Sequence, residues 1–342
     1  RVGEGIYRLS GHKWFMSAPM SDGFLVLAQA PRGLTCLLLP RMLDDGQRNA
    51  WRIMRLKDKL GDWSNASSEV EFCNSLAWPV GEEGRGLATI LDMVMLTRLD
   101  CMLGGAAQMR MALQQAVHHA RHRTAFGARL VEQPLMMNVL ADLALESEAA
   151  TCLAMRVAAA VDAAPRDAQE AALARVLTAV GKYWICRRAP AFVNEAQECL
   201  GGAGYVEESM LPRLYRQAPL NAIWEGSSNI QCLDVLRALQ REGGTGVALM
   251  ALLAPWRGRH AVFDAVADGL ELDLRKATVE AGARSLVERI ALVVQAALLL
   301  RAGSPMADVF IASRLGGRHG LAMGTLDADA PFSSMLDRAC PV

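Results

Sequence analysis

The chain has 342 residues, with 36 Lys+Arg against 36 Asp+Glu and a sequence pI near 7.1. That balance excludes a protein coated in positive charge for non-specific nucleic-acid binding, and 52% hydrophobic with 21% charged residues excludes intrinsic disorder. At roughly 150 residues per domain the length predicts two or three domains.

The first 80 or so residues read as strands. Tyr7–Leu9, Lys13–Met16, Phe24–Ala28 and Thr35–Leu39 are short β-rich runs parted by Ser10-Gly11 and Ser21-Asp22-Gly23, and Glu69–Phe72 alternates polar and apolar with period 2. The opening at Arg1 already reads as the middle of a folded unit, so a fragment is expected. Pro79-Val80-Gly81 then punctuates the chain and the period changes to 3.6. Leu87–Ala120, Pro134–Ala163 and Asp167–Leu200 predict three long helices able to pack as a bundle, with a kink or break at Pro190. Gly243-Gly244 with Thr245-Gly246 is the expected linker to a further helical set that includes Ala283–Arg301. The expected class is therefore α+β, mostly α: a small β domain over 1–82, a helical bundle over 83–243 and a C-terminal helical extension over 244–342.

Eight cysteines without any CxxC or paired spacing argue against a disulfide framework or a zinc ribbon and for reduced, buried thiols. No HExxH or GxSxG occurs, and the adjacent His118 and His119 point in different directions on a helix, so no metal site is expected. The densest apolar run, Ile290–Leu300, is too short to span a bilayer, and no signal peptide is read at the start, so a cytoplasmic protein without membrane partners is expected.

Three clusters carry candidate chemistry, each with a plain structural alternative. In Arg123-Thr-Ala-Phe126-Gly127 an arginine fork can grip a pyrophosphate and a phenylalanine can lie on a flat ring; alternatively, these are a solvated arginine and a core phenylalanine beside a helix-ending glycine. Gly201-Gly202-Ala203-Gly204 offers free backbone N–H groups for phosphate, or is merely a loop between helices; it is not a dinucleotide GxGxxG. In Trp224-Glu225-Gly226-Ser227 a carboxylate beside an aromatic wall suits proton acceptance, or is a glutamate favoured by a helix start with Ser227 or Ser228 as N-cap.

In order and spacing, Arg98, Arg123-xx-Phe126-Gly127, Gly201-Gly202-x-Gly204-Tyr205 and Trp224-Glu225-Gly226-Ser227 resemble the C-terminal two-thirds of an acyl-CoA dehydrogenase, and Gly11-His-Lys13-Trp-Phe15-Met-Ser17 is similar to that family's GxKxWIT strand. Leu56-Lys-Asp-Lys-Leu60-Gly, Ser64-Asn65-Ala66-Ser67, Glu207-Glu208-Ser209, Leu211–Arg216 and the extension after 243 resemble the family's alkylation-response branch. The resemblance covers about residues 5–240 and implies an FAD-dependent oxidoreductase acting on CH–CH groups of an acyl-CoA thioester, short or branched. It implies that Glu225 takes the α proton while hydride leaves the β carbon for flavin N5. It implies Phe15, Ser17, Arg123, Phe126, Gly201, Gly202, Ser227 and Asn229 for FAD, and Arg98 and Trp224 for the substrate. It also implies a homo-oligomer, dimer or tetramer, in which Arg123 and Phe126 hold the neighbouring subunit's FAD. Some relatives carry their base one residue before Arg98, where Thr97 cannot serve. Departures are Glu198 where a glutamine is usual, with Gln197 one place off and pointing elsewhere, Gln217 for an aspartate, and Trp224 for a tyrosine whose smaller ring would leave a wider acyl pocket. The family's N-terminal helical domain and its TEPxxGSD stretch are not in this sequence, so part of the FAD site is expected to be missing.

The same resemblance implies an alternative, a flavin-bearing, protective protein of the alkylation response that binds double-stranded DNA and has little dehydrogenase activity. Residues 245–342 hold ten basic and ten acidic side chains, which describes a neutral surface. Arg314 and Arg318 on one expected helix face, and Arg237 and Arg241 on another, are the candidates for a local phosphate-binding patch.

Overall fold

The opening residues build one antiparallel sheet around a long central strand. The computed structural model describes every residue except 1, 2, 4, 242, 276–278 and 342, and the backbone but not the side chain of Arg275. Strands β1 (Tyr7–Ser17), β2 (Gly23–Ala30), β3 (Gly33–Pro40), β4 (Trp51–Leu56) and β5 (Ser67–Pro79) run in the order β1-β5-β3-β2, with β4 also paired to β5. The two runs predicted at 7–9 and 13–16 are a single strand, because backbone pairing to β5 continues through Ser10-Gly11 with register shifts at Leu9/Ser10 and between Lys13 and Met16. A bulge adds a residue without a cross-strand partner and breaks the in–out alternation. Here it leaves both Trp14 and Phe15 more than half exposed while Met16 returns to the core. Alternating Tyr7, Leu9, Phe24, Val26, Leu37, Leu39 and Val70 close that core.

Helix α1 (Gly86–His122) follows, then the hairpin of β6 (Thr124–Ala125) and β7 (Ala128–Arg129), α2 (Pro134–Ala163) and α3 (Ala168–Glu198). Asp167 caps α3 by accepting from the Gln169 and Glu170 N–H groups. Pro190 does not break α3; the helix continues to Glu198, with Ala189, Phe192 and Val193 fully buried on either side. Packing on several faces outweighs the lost N–H and the ring clash, a tertiary term that local reading cannot supply. The short α4 (Gly202–Tyr205) and α5 (Leu211–Gln217) lead to α6 (Ser228–Arg241), and α7 (Thr245–Leu253), α8 (Ala261–Arg275), α9 (Ala283–Arg301), α10 (Ala307–Phe310) and α11 (Phe332–Ala339) complete the chain.

The described residues divide into two compact units, 1–96 and 97–342. Residues 244–342, expected as a separate extension, share one continuous hydrophobic core with the bundle: Val293, Phe310 and Met335 belong to the same buried cluster as Leu113, Leu145 and Phe192. The eight cysteines are free thiols, five of them buried. Among the described residues no helix is long and apolar enough to cross a membrane.

Candidate functional site

Glu225 lies in the segment between α5 and α6, after a single turn of 3-10 helix at Leu220–Ala222. Glu225 and Gly226 both adopt left-handed backbone conformations, with φ of 57° and 94°. For a glutamate this costs energy, and it persists only where the surroundings impose it. The surroundings are two cations that take successive carbonyls on opposite sides. Lys182 of α3, 1% exposed, donates to the carbonyls of Asn221 (3.1 Å), Trp224 (2.8 Å) and Gly226 (2.7 Å). Arg98 of α1 donates through Nε to the intervening Glu225 carbonyl at 3.1 Å. Gln231 Nε2 adds bonds to the Glu225 and Gly226 carbonyls at 3.2 and 2.9 Å, and a side chain on Gly226 would meet that amide at 2.7 Å.

The half-buried Glu225 carboxylate is oriented by the Thr97 hydroxyl, which donates to Oε2 at 2.8 Å. Thr97 cannot act as a base, yet it occupies the place from which a side chain reaches Glu225. Arg98, expected to meet substrate, is only 5% exposed, and its Nη1 is bound to Asp234 Oδ2 at 2.8 Å; Arg175 binds the same carboxylate at 2.8 and 3.1 Å. In this structure Arg98 holds the loop. Trp224 is half-buried, and its indole N–H donates to Asn221 Oδ1 at 2.9 Å.

The residues expected to hold FAD lie in four places. Phe15 and Ser17 are exposed on β1 in the first unit. There Phe15 meets Trp14 edge-on with centroids 6.5 Å apart, and Lys57 Nζ lies 3.1 Å from the Trp14 ring and 4.6 Å from the Phe15 ring. Glu69 anchors this corner, accepting from Arg55 and Lys57 at 2.8 and 2.5 Å, and those bonds hold its carboxyl down at about 2. Ser227 and Asn229 line a cavity of about 300 Å³ with Arg187 and Arg284, and Arg284 Nε donates to Asn229 Oδ1 at 2.9 Å. Arg123 and Phe126 stand at the hairpin, where Phe126 (φ 53°) and Gly127 (φ 84°) form the two-residue turn; Phe126 is 94% exposed, and Arg123 makes no ion pair among the described residues. Gly201 (φ 58°) and Gly202 have open space where a side chain would stand.

In the first unit the exposed aromatic pair suits a flat ring such as that of FAD; in the second, a guanidinium without an ion pair among the described residues, an open glycine turn and a two-arginine cavity each suit phosphate. Gln197 is not turned away from this region: its Nε2 donates to the Gly204 carbonyl at 2.7 Å and closes the glycine turn, while Glu198 accepts the Gly201 N–H through its backbone.

The expected phosphate patch in the extension needs correction. Arg314 has a side chain only 6% exposed and is bound to Asp142 and Glu146 of α2. It sits in a π-helical turn, Ile311–Leu315, which Arg318 lies beyond, so the two do not share a helix face; Arg318 pairs with Asp327. Arg237 and Arg241 are exposed one turn apart on α6. Among the described residues no group of three or more His, Cys, Asp or Glu is placed to hold a metal ion.

Sequence reasoning missed Lys182, Asp234, Arg175, Asn221 and Gln231. Lys182 did carry a signal, as the lone charge in the apolar run between Arg175 and Arg187. Asp234 and Arg175 are linked to the loop only through Arg98, across helices, while Asn221 and Gln231 lie close to Glu225 in sequence but carried no motif.

Residues 84–240 match the family described as "Acyl-CoA dehydrogenase, C-terminal domain". The chain is 48% identical over 321 residues to "Putative acyl-CoA dehydrogenase AidB" of Escherichia coli, covering 94% of this chain and 59% of that protein. Its structure is similar to that of Caenorhabditis elegans ACDH-11, solved in complex with C11-CoA, with a TM-score of 0.80 and 26% identity over 100% of this chain and 60% of that one. It also shares the fold of a Bacillus anthracis acyl-CoA dehydrogenase solved with FAD, with a TM-score of 0.73, 16% identity, and 98% of this chain and 64% of that one covered. The chain thus spans about three-fifths of the length of these relatives. With its β sheet, its helical bundle and a glutamate on a tethered loop between α5 and α6, the chain is similar to the acyl-CoA dehydrogenases, and its residues 84–240 match their C-terminal domain.

Proposed function

We propose that this chain carries acyl-CoA dehydrogenase chemistry, with Glu225 as the base that takes the α proton of an acyl-CoA thioester. The observation that carries this reading is the Glu225 carboxylate itself. It is oriented by the Thr97 hydroxyl and presented by a left-handed residue whose carbonyl and both neighbouring carbonyls are held by buried cations. FAD, when bound, supplies the acceptor for the hydride that leaves the β carbon. Within the second unit, Arg187, Arg284, Ser227 and Asn229 would hold phosphate. A carboxylate fixed in one orientation needs little reorganisation as it accepts the proton, which is how a positioned base lowers the barrier. The free Arg123 and the almost fully exposed Phe126 support an oligomer in which this hairpin meets a second copy's cofactor.

The test uses the full-length protein loaded with FAD, mixed without oxygen with a panel of acyl-CoA thioesters while the oxidised flavin band is followed. Bleaching should occur with at least one thioester, and Glu225→Gln should slow it by at least about 100-fold with unchanged flavin content. Equal bleaching in the Gln variant would remove Glu225 from the role of base, and no bleaching by any thioester in the unaltered protein would overturn the reading.

A further inference from the structure

Lys182 is a lysine in the middle of a helix bundle with no ion pair among the described residues. A buried ammonium is costly unless every donor is used. The charged form has three N–H donors, and the structure supplies three carbonyl acceptors, Asn221, Trp224 and Gly226, all from one six-residue segment. The neighbouring thiols do not neutralise it: burial pushes Cys101 up to about 11 and Cys186 to about 12, so both stay protonated. Burial, the largest cause, also lowers the pKa of Lys182 itself.

The carbonyls alternate along the segment. Those of Trp224 and Gly226 face Lys182, and that of Glu225 between them faces Arg98. Turning either peptide plane over would withdraw a carbonyl from a cation and point an N–H at it. The φ of 57° at Glu225 is the conformation that satisfies both cations at once.

We propose that Lys182 is a positioning residue for the base: its ammonium locks residues 221–226 so that the Glu225 carboxylate is held against Thr97 in the orientation that proton abstraction needs. This rests on the reading of Glu225 as base. Lys182 touches neither substrate nor cofactor and acts through the backbone on either side of Glu225.

The test pairs a structural readout with a kinetic one. In Lys182→Met, hydrogen exchange of the amides in a peptide spanning residues 221–228 should quicken by at least about tenfold, while amides of α2 and α9 keep their protection. With FAD bound, kcat should fall by about 100-fold with KM within about threefold, the signature of a misplaced base rather than a weakened site. In a Glu225→Gln background the same change should cost less than about twofold more, because the interaction it supports is already gone.

Unchanged exchange in the 221–228 peptide, or equal kcat losses in both backgrounds, would overturn the proposal. Lys182→Gln, which keeps a donor, is the second variant. Loss of the folded bundle in both variants would also overturn it, since Lys182 would then be a requirement of the core and not of the loop. Retained flavin reduction in Glu225→Gln would refute the reading of Glu225 as base, whereas the exchange result decides the tether on its own.

Discussion

At the scale of single residues, the backbone around Glu225 holds its shape because Gly226 has no side chain. Its φ of 94° suits glycine, and an added Cβ would press on Gln231 Nε2 and on Ile230 Cγ2 at 3.1 Å. Gly226→Ala is therefore expected to lower stability by about 1–3 kcal/mol and to reduce activity further by shifting the loop, as measured by urea unfolding and flavin bleaching. Gly181→Ala makes a useful contrast, because there the added Cβ meets the end of the flexible Met102 side chain, which can turn aside, and the cost should be smaller. A second residue-scale prediction concerns acid. Hydrogen bonds from Arg55 and then Lys57 hold the Glu69 carboxyl at about 2, below its ordinary 4.5. A folded-state value below the unfolded one means that this stabilisation is complete above pH 4.5 and is lost as the pH falls through about 2. Urea midpoints of the β unit should fall across that window. Glu69→Gln should lower the midpoint at neutral pH and flatten the acid limb; an unchanged limb would remove Glu69 as its cause.

At the scale of elements, the extension is tied to the bundle by a buried charge cluster. Arg314 bridges Asp142 and Glu146 of α2, and Arg188 of α3 binds the same Glu146 at 3.0 Å. Burial alone would raise the Glu146 carboxyl, but the two arginines bring it below its ordinary value. Arg314→Ala would strand buried carboxylates, so a loss of about 3–5 kcal/mol is expected in denaturant unfolding, and the residue should be a poor probe of any surface interaction. The sequence could not place this arginine, because its partners lie some 170 positions earlier and a basic residue near a helix end reads as solvated. The long helices were legible because their apolar period runs for 30 residues, and α2 has the predicted bounds, Pro134–Ala163. Strand β4 was not legible, since all six of its residues are exposed or half-exposed and Trp51–Leu56 shows no alternation to read. The motif residues of the candidate site were visible as spacing along the chain. What holds them was not, because Lys182 of α3 and Arg98 of α1, itself held by Asp234 of α6, reach the 221–226 segment only after those helices have packed.

At the scale of the whole molecule, the decisive fact is that one core runs through residues 97–342. Phe310, Val293, Val294 and Met335 are buried in the same cluster as Phe192 of α3 and Leu145 of α2, so the last hundred residues complete the bundle's packing. A core shared in this way unfolds as one cooperative unit, and a cavity anywhere in it weakens all of it. Phe310→Ala removes a fully buried ring and should cost about 3–5 kcal/mol. If the core is shared, hydrogen exchange in α3 and α6 will accelerate in the variant together with that in α9, although α3 and α6 are more than 60 residues from the substitution in sequence. If the residues after 244 formed a separate domain, acceleration would stop at α9, and α3 would keep its protection. The same logic links this core to the chemistry. Lys182 sits on α3 and Arg98 on α1, so the precision with which Glu225 is held depends on helices that the extension helps to pack. A weakened extension should then lower kcat before it lowers flavin content, and measuring both across a series of core variants would show that order.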